Sequence, residues 1–281
     1  MRKYVFLDVD GTLIDYSAHC PASARKAVDK ARANGHKVYI CTGCSKAEIE
    51  ERDLPVLDGM IGGNGAYVED GGEVLMHQSL DVEEVKRIGQ WCSQRNLGYY
   101  LECNAGVFSN DKVREIGPEV MFQYSTGKGA DTAAARKQAQ AFIDSFVFPG
   151  DDKLVRDDVN KISFILSSYQ DFLDARQAFS HLEVNTWGGK GEKALFGDLS
   201  PAGITKKHAM EMLLDHLHAD RNDAVSFGDA KIDLSMFELC GYNVAMGNGG
   251  PEIKQAADYI TDDVNADGLY KAFVHLGLID D

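Results

Sequence analysis

The residues that could do chemistry begin in the stretch YVFLDVDGTLID, positions 4–15, where an apolar run from Tyr4 to Leu7 delivers two carboxylates, Asp8 and Asp10, followed by Gly11 and Thr12. Alternate strand positions share a face, so Asp8 and Asp10 start on one side with Val9 turned away. The carboxyl end of a buried parallel strand is where open α/β sheets hold ligands. Isolated charges are seldom placed there without a partner or a metal. The bland alternative is an acidic turn with no chemistry. Three later positions extend the set. Thr42 ends a second apolar run, KVYIC, and offers a hydroxyl and backbone N–H groups to phosphate oxygens. Lys206 stands at the start of a helix, where its charge and the helix's positive end could both serve an anion. Asp229 ends a late strand in FGDAKID, with Asp233 four residues on. Alone, each has a plainer reading as a turn residue or a solvated side chain. Their order at successive strand ends of one inferred sheet argues for a joint role in phosphate chemistry.

The elements that must position these residues follow from the pattern around them. Pro21 can open a helix that stops at Asn34-Gly35. Lys37 to Cys41 reads as the second strand. Ser45 with Glu48 is a capping box for the next helix, and Met60-Ile61 makes a short third strand before Gly62-Gly63-Asn64-Gly65. A hairpin follows, Ala66 to Val68 against Glu73 to Met76. From about Asp81 the texture changes to a long helix to Asn96, strand-like segments over Gly98 to Leu101 and Gly106 to Ser109, another helix after the polar region Ser125 to Ala135, a strand over Ile162 to Leu166, a helix, and then Leu182 to Trp187. The α/β alternation returns from Lys193, with a helix over Lys206 to His218 and strands Ala224 to Phe227 and Tyr242 to Ala245. Strands alternating with helices imply a parallel sheet with right-handed crossovers. The expected architecture is α/β: a Rossmann-like, doubly wound core over 1–80 and 192–281, interrupted by an α+β domain over 81–191.

At 281 residues the chain is long enough for one large or two modest domains, and its composition is that of a globular protein. The net charge of -15 argues against nucleic acid, which requires clustered Lys and Arg. No apolar stretch approaches the roughly 20 residues that span a bilayer, and Met1-Arg2-Lys3 runs straight into a strand without signal-peptide organisation. The cytoplasm is the expected compartment, with no membrane partner and a monomer or weak homo-oligomer. Six scattered cysteines do not form a disulfide framework.

With these residues in place the chain resembles the haloacid-dehalogenase-superfamily (HAD) phosphatases, and within them the Cof-like branch with a large α/β cap of type C2. The resemblance covers nearly the whole chain. DxDGT falls on Asp8 to Thr12, the hydroxyl-Gly motif on Thr42-Gly43, the Lys motif on Lys206 in GITKKHAM, and GDxxxD on Gly228 to Asp233. The VAMGN segment at 244–248 also matches. The resemblance implies that Asp8 is the nucleophile, forming an aspartyl-phosphate. Asp10 would be general acid and then base. Mg²⁺ would be held by Asp8, the backbone carbonyl of Asp10 and Asp229, with Asp233 behind them or bound through water. Thr42, Gly43 and Lys206 would hold the phosphoryl oxygens of a small phosphorylated substrate such as a sugar phosphate, a nucleotide or pyridoxal phosphate. Two positions depart from the branch's pattern: Cys44 stands where an Arg commonly follows Thr-Gly, and Ile232 where an Asn commonly precedes the last Asp.

Other readings compete. Cys41 and Cys44 have the C-x-x-C spacing after a strand, the context of a thiol–disulfide oxidoreductase, but that leaves Asp8, Asp10, Lys206 and Asp229 unexplained. A phosphomutase would use the same aspartyl-phosphate, and a non-catalytic phosphate sensor would suit the two departures. The insert is expected to act as a lid that chooses the leaving group, hinged near Gly62 to Gly65 and Gly188 to Gly191. Asn185 and Trp187 could face the substrate, although core packing is the plainer fate of Trp187.

Overall fold

The computed structural model of the protein describes residues 2–187 and 193–280. The glycine run at 188–191, expected as a hinge, lies outside the described residues. In chain order the strands are β1 (Tyr4–Leu7), β2 (Lys37–Cys41), β3 (Gly59–Gly62), β4 (Tyr67–Asp70), β5 (Glu73–His77), β6 (Tyr99–Cys103), β7 (Gly106–Ser109), β8 (Val159–Ile165), β9 (Glu183–Thr186), β10 (Phe196–Ser200), β11 (Ala224–Gly228), β12 (Tyr242–Ala245) and β13 (Tyr259–Ile260). The chain divides into two units, one of Met1–Gly43, Arg52–Met76 and Thr205–Asp281, the other of Cys44–Glu51 and His77–Ile204.

The first unit holds an eight-stranded sheet in the order β13-β12-β11-β1-β2-β3-β4-β5. Its pairs from β13 through β3 are parallel, and β4 returns antiparallel on β3. That order sets β1 between β11 and β2, so the three strands carrying the acidic and hydroxyl motifs are direct neighbours. Apart from the partly buried Tyr4, their apolar side chains are buried, as near-continuous runs in parallel sheets require. Phe6 and Tyr39 stack across β1 and β2 with ring centroids 5.7 Å apart. The helix Lys206–His216 starts where the Thr205 hydroxyl accepts from the His208 N–H at 3.1 Å. It buries Ala209, Met210, Leu213 and Leu214 in one cluster with Phe6, Tyr39, Cys41, Ile61 and Val68. Burying each large apolar side chain there contributes about 1.5–3 kcal/mol.

The turn after β3 helps set the start of that helix. Gly63, Asn64 and Gly65 all have positive φ, 56°, 57° and 108°. A Cβ on Gly65 would collide with the Thr205 carbonyl and come within 3.2 Å of the Lys206 nitrogen, so only glycine lets these two segments approach. The residues expected as a hinge, Gly62 to Gly65, are buried in this turn.

The second unit holds an antiparallel sheet in the order β7-β6-β8-β10-β9. One face carries Tyr99, Leu101, Ile162, Phe164 and Leu199 against the helices Val82–Gln94 and Tyr169–Ala178. The opposite face carries Tyr100, Ile165 and Phe196 in a second apolar cluster with Val113, Ile143 and Phe146 of a helical pair, Asp111–Gly127 and Thr132–Asp144. This unit runs to Ile204, beyond the Gly191 expected from the sequence, because β10 pairs with β8 and β9 rather than with the parallel sheet. It also takes in residues 44–51, since the capped helix Lys46–Glu50 packs on β7.

Candidate active site

Asp8 directly follows β1, and its N–H donates to the Phe227 carbonyl of β11 at 3.0 Å. Asp229 directly follows β11, and Thr42 follows β2 with its N–H on the Ile61 carbonyl at 2.8 Å. The three strand ends therefore present Asp229, Asp8 and Thr42 side by side, all buried, with Gly43 next to Thr42. Lys206 enters from the first turn of its helix, 2% exposed. Its Nζ lies 2.9 Å from Asp8 Oδ1 and 2.7 Å from Asp233 Oδ1. The other Asp233 oxygen accepts from the backbone N–H groups of Asp229 and Ala230 at 3.2 and 3.1 Å. Asp233 thus ties the Asp229 turn to Lys206.

Asp10 lies to one side of this group. Its Oδ1 accepts from Arg52 Nη1 at 2.7 Å. The loop carrying Arg52 is itself pinned, because Arg25 donates to the Leu54 and Asp53 carbonyls at 3.0 and 2.9 Å. Gly11 turns the chain after Asp10 at φ +88°, where a Cβ would collide with the Asp229 carboxylate and the Tyr16 ring. That space lets the Tyr16 hydroxyl donate to Asp229 Oδ2 at 2.6 Å. Asn248 fastens the same turn, donating to the Gly11 carbonyl at 2.8 Å and accepting from the Val264 N–H at 2.9 Å.

Burial pushes the Asp8 carboxyl well above the usual carboxylate range, and Asp233 and Asp229 push it further while Lys206 pulls it back. Burial opposes the charge on Lys206, but Asp233 and Asp8 more than offset this and hold it protonated above its ordinary value. The Lys206 ammonium bridges two carboxylates, Asp8 and Asp233, beside a third buried one, Asp229. Asp8, Asp229 and Asp233 each offer an oxygen, and these atoms all lie within 4.8 Å of one another. A hard divalent cation fits such a set, since oxygen donors in negative excess are what it takes up. The Asp10 carboxylate pairs with Arg52, which leaves the backbone carbonyl as the Asp10 atom expected to meet a metal and the carboxyl for proton transfer.

The comparisons with known proteins bear on this arrangement. The sequence pattern of the haloacid dehalogenase-like hydrolases matches residues 5–273. The chain belongs to this family. YkrA of Bacillus subtilis (strain 168) is 28% identical over 99% of this chain and 98% of its own length. Phosphatase YwpJ of the same organism is 25% identical over 98% and 99%. Among solved structures, the HAD subclass IIB sugar phosphatase BT4131 is 26% identical with a TM-score of 0.77, covering 99% of this chain and all of that one. A haloacid dehalogenase-like hydrolase from B. subtilis, 22% identical, shares the fold with a TM-score of 0.84 over 98% and 99%. The recognition, the α/β fold and the enzyme class expected from the motifs, a HAD-type phosphoric monoester hydrolase, stand together.

As a HAD-like hydrolase the chain carries features that the motifs did not announce. Arg52 and Tyr16 lie outside every quoted motif and reach Asp10 and Asp229 only through the folded chain. In the second unit, Glu102 and Lys161 form a buried ion pair at 3.2 Å. Burial pushes the Glu102 carboxyl up. Trp187 stacks on Phe196 with centroids 4.5 Å apart and donates to Asp198 at 3.0 Å, so it is a packed residue, while Asn185 is exposed. The thiol reading finds no support: Cys41 is a wholly buried core residue whose thiol is pushed far up by burial. A thiol in that state is a poor nucleophile. No helix among the described residues is long and apolar enough to cross a membrane.

Proposed function

We propose that this enzyme is a Mg²⁺-dependent phosphatase that hydrolyses a small phosphorylated metabolite, a sugar phosphate foremost, through an aspartyl-phosphate on Asp8. The observation that carries this reading is the buried cluster at neighbouring strand ends, in which Lys206 bridges Asp8 and Asp233 at 2.9 and 2.7 Å. An Asp8 oxygen attacks phosphorus, forming the acyl-phosphate bond as the ester P–O bond breaks. Asp10 gives its proton to the departing oxygen. In the second step Asp10 takes a proton from the water that attacks phosphorus, and Asp8 leaves as a carboxylate. Lys206, with the Thr42 hydroxyl and the backbone of Gly43, holds the equatorial oxygens and offsets their charge. Asp233 keeps the ammonium of Lys206 in place through its own two-sided hydrogen bonding.

Asp8, Asp229 and the Asp10 carbonyl would hold Mg²⁺, which supplies the positive charge that lets an anionic nucleophile meet an anionic phosphate. The sugar-phosphate preference draws support from the likeness to subclass IIB sugar phosphatase BT4131. The test is phosphate release from a panel of sugar phosphates, nucleotides and pyridoxal phosphate, with Mg²⁺ or with EDTA. Release from at least one sugar phosphate that EDTA abolishes is expected. Turnover that survives EDTA would overturn the metal assignment, and no release from any member would overturn the phosphatase reading.

A further inference from the structure

Asn64 is a buried polar residue that the mechanism above does not use. It follows β3 in the turn against Thr205 and Lys206, is 6% exposed, and sits at φ 57°, ψ 24°. Its N–H donates to the Thr42 carbonyl at 3.1 Å. Its backbone is thereby fixed between the segments that carry Thr42 and Lys206. Both polar atoms of its carboxamide are shut off from solvent, and neither has a hydrogen-bond partner among the described residues. A buried side-chain amide with no partner forfeits the hydrogen bonds it would make in water. Its left-handed backbone is a further cost, smaller for Asn than for most residues, and such strain concentrates at ligand-binding positions. The chain carries both costs at one residue beside its phosphate-binding candidates.

We infer that Asn64 is a substrate-binding residue whose Nδ2 donates a hydrogen bond to an oxygen of the phosphoryl group held by Thr42 and Lys206. This rests on the phosphoryl-transfer reading and adds to it a ligand outside the quoted motifs. A phosphoryl group is chiefly an acceptor at neutral pH, and the carboxamide supplies an uncharged donor. That suits a site already crowded with carboxylates, where the donor must not pair permanently with Asp8.

The test is inorganic phosphate binding to the full-length protein with Mg²⁺ present, measured by calorimetry on wild type, Asn64→Asp and Asn64→Gly. Asp tolerates the left-handed region about as Asn does, and Gly adopts it freely, so both variants keep the turn. Thermal unfolding monitors the fold. Asn64→Gly removes a hydrogen bond to a charged group and should weaken phosphate binding about 10- to 100-fold. Asn64→Asp should weaken it more, because it replaces the donor with a carboxylate facing the anion. Folded variants that both bind phosphate within a factor of about two of wild type would overturn the inference and leave the phosphatase reading intact. A wild-type protein that neither binds phosphate nor hydrolyses phosphomonoesters would overturn both.

Discussion

Replacing Lys206 by Met removes the buried ammonium that bridges Asp8 and Asp233 while keeping most of its volume. The Lys206 side chain is 1% exposed, and its partners Asp8 and Asp233 are 11% and 0% exposed at the side chain. Breaking a buried pair by removing one partner costs about 3–5 kcal/mol, because it strands an uncompensated charge. For a chain of this size each kcal/mol shifts the unfolding midpoint by about 2–4 °C, so the metal-free variant should melt about 6–20 °C below wild type. The deficit should depend on pH. Asp8 already lies above the usual carboxylate range through burial and its acidic neighbours, and losing Lys206 raises it further. A carboxyl raised by folding binds its proton more tightly in the native chain than in the unfolded one. Its contribution is therefore favourable below the unfolded value of about 3.9 and falls away as pH rises through the folded value. The variant's deficit should be smallest near about pH 5 and grow toward about pH 8. Added Mg²⁺ should recover part of it by binding the native acids. Calorimetric melts at both pH values, with and without Mg²⁺, make the measurement. A variant that melts within about 2 °C of wild type near about pH 8 would refute the charge balance drawn here.

Two further substitutions probe residues that lie outside the motifs. Arg52→Ala removes the partner that holds Asp10 at 2.7 Å; turnover on alkyl phosphates, whose leaving oxygen needs a proton, should fall about 10- to 100-fold more than on p-nitrophenyl phosphate. Equal losses on the two substrates would mean that Arg52 does not act through Asp10. Tyr16→Phe keeps the ring and loses the hydroxyl on Asp229, so the Mg²⁺ concentration for half-maximal binding should rise about 10-fold, as is usual when a metal-ligating carboxylate loses its support. A metal titration by calorimetry that superimposes on wild type would count against it.

Much of this architecture was legible in the sequence for reasons tied to individual residues. The buried runs before Asp8, Thr42 and Asp229 read as strands because parallel sheets demand continuous apolar segments, and the structure makes them neighbours. Ser45 and Glu48 formed the capping box that their spacing announces. Other elements were hidden by local chemistry. Gly117 and Pro118 conceal the helix Asp111–Gly127, since proline removes a ladder hydrogen bond inside a helix. Phe196–Ser200 sits between a glycine-rich stretch and the Lys206 helix, and nothing local reveals that it pairs antiparallel with β8 and β9. Arg52 and Tyr16 could not be read as site residues because their partners lie 42 and 213 positions away. The side-chain roles at strand ends follow a motif; the residues that steady them follow only the fold.

The central claim is that Asp8 itself takes the phosphoryl group, and trapping that bond tests it most directly. Asp10→Asn should still form the aspartyl-phosphate from an activated ester such as p-nitrophenyl phosphate but should hydrolyse it slowly, because the water loses its base. Acid quenching of this variant with substrate and Mg²⁺, followed by peptide mass spectrometry, should find one phosphoryl group on Asp8, and the Asp8→Asn variant should carry none and turn over at background. A phosphoryl group on any other side chain, or an Asp8→Asn variant that keeps substantial turnover, would contradict the account.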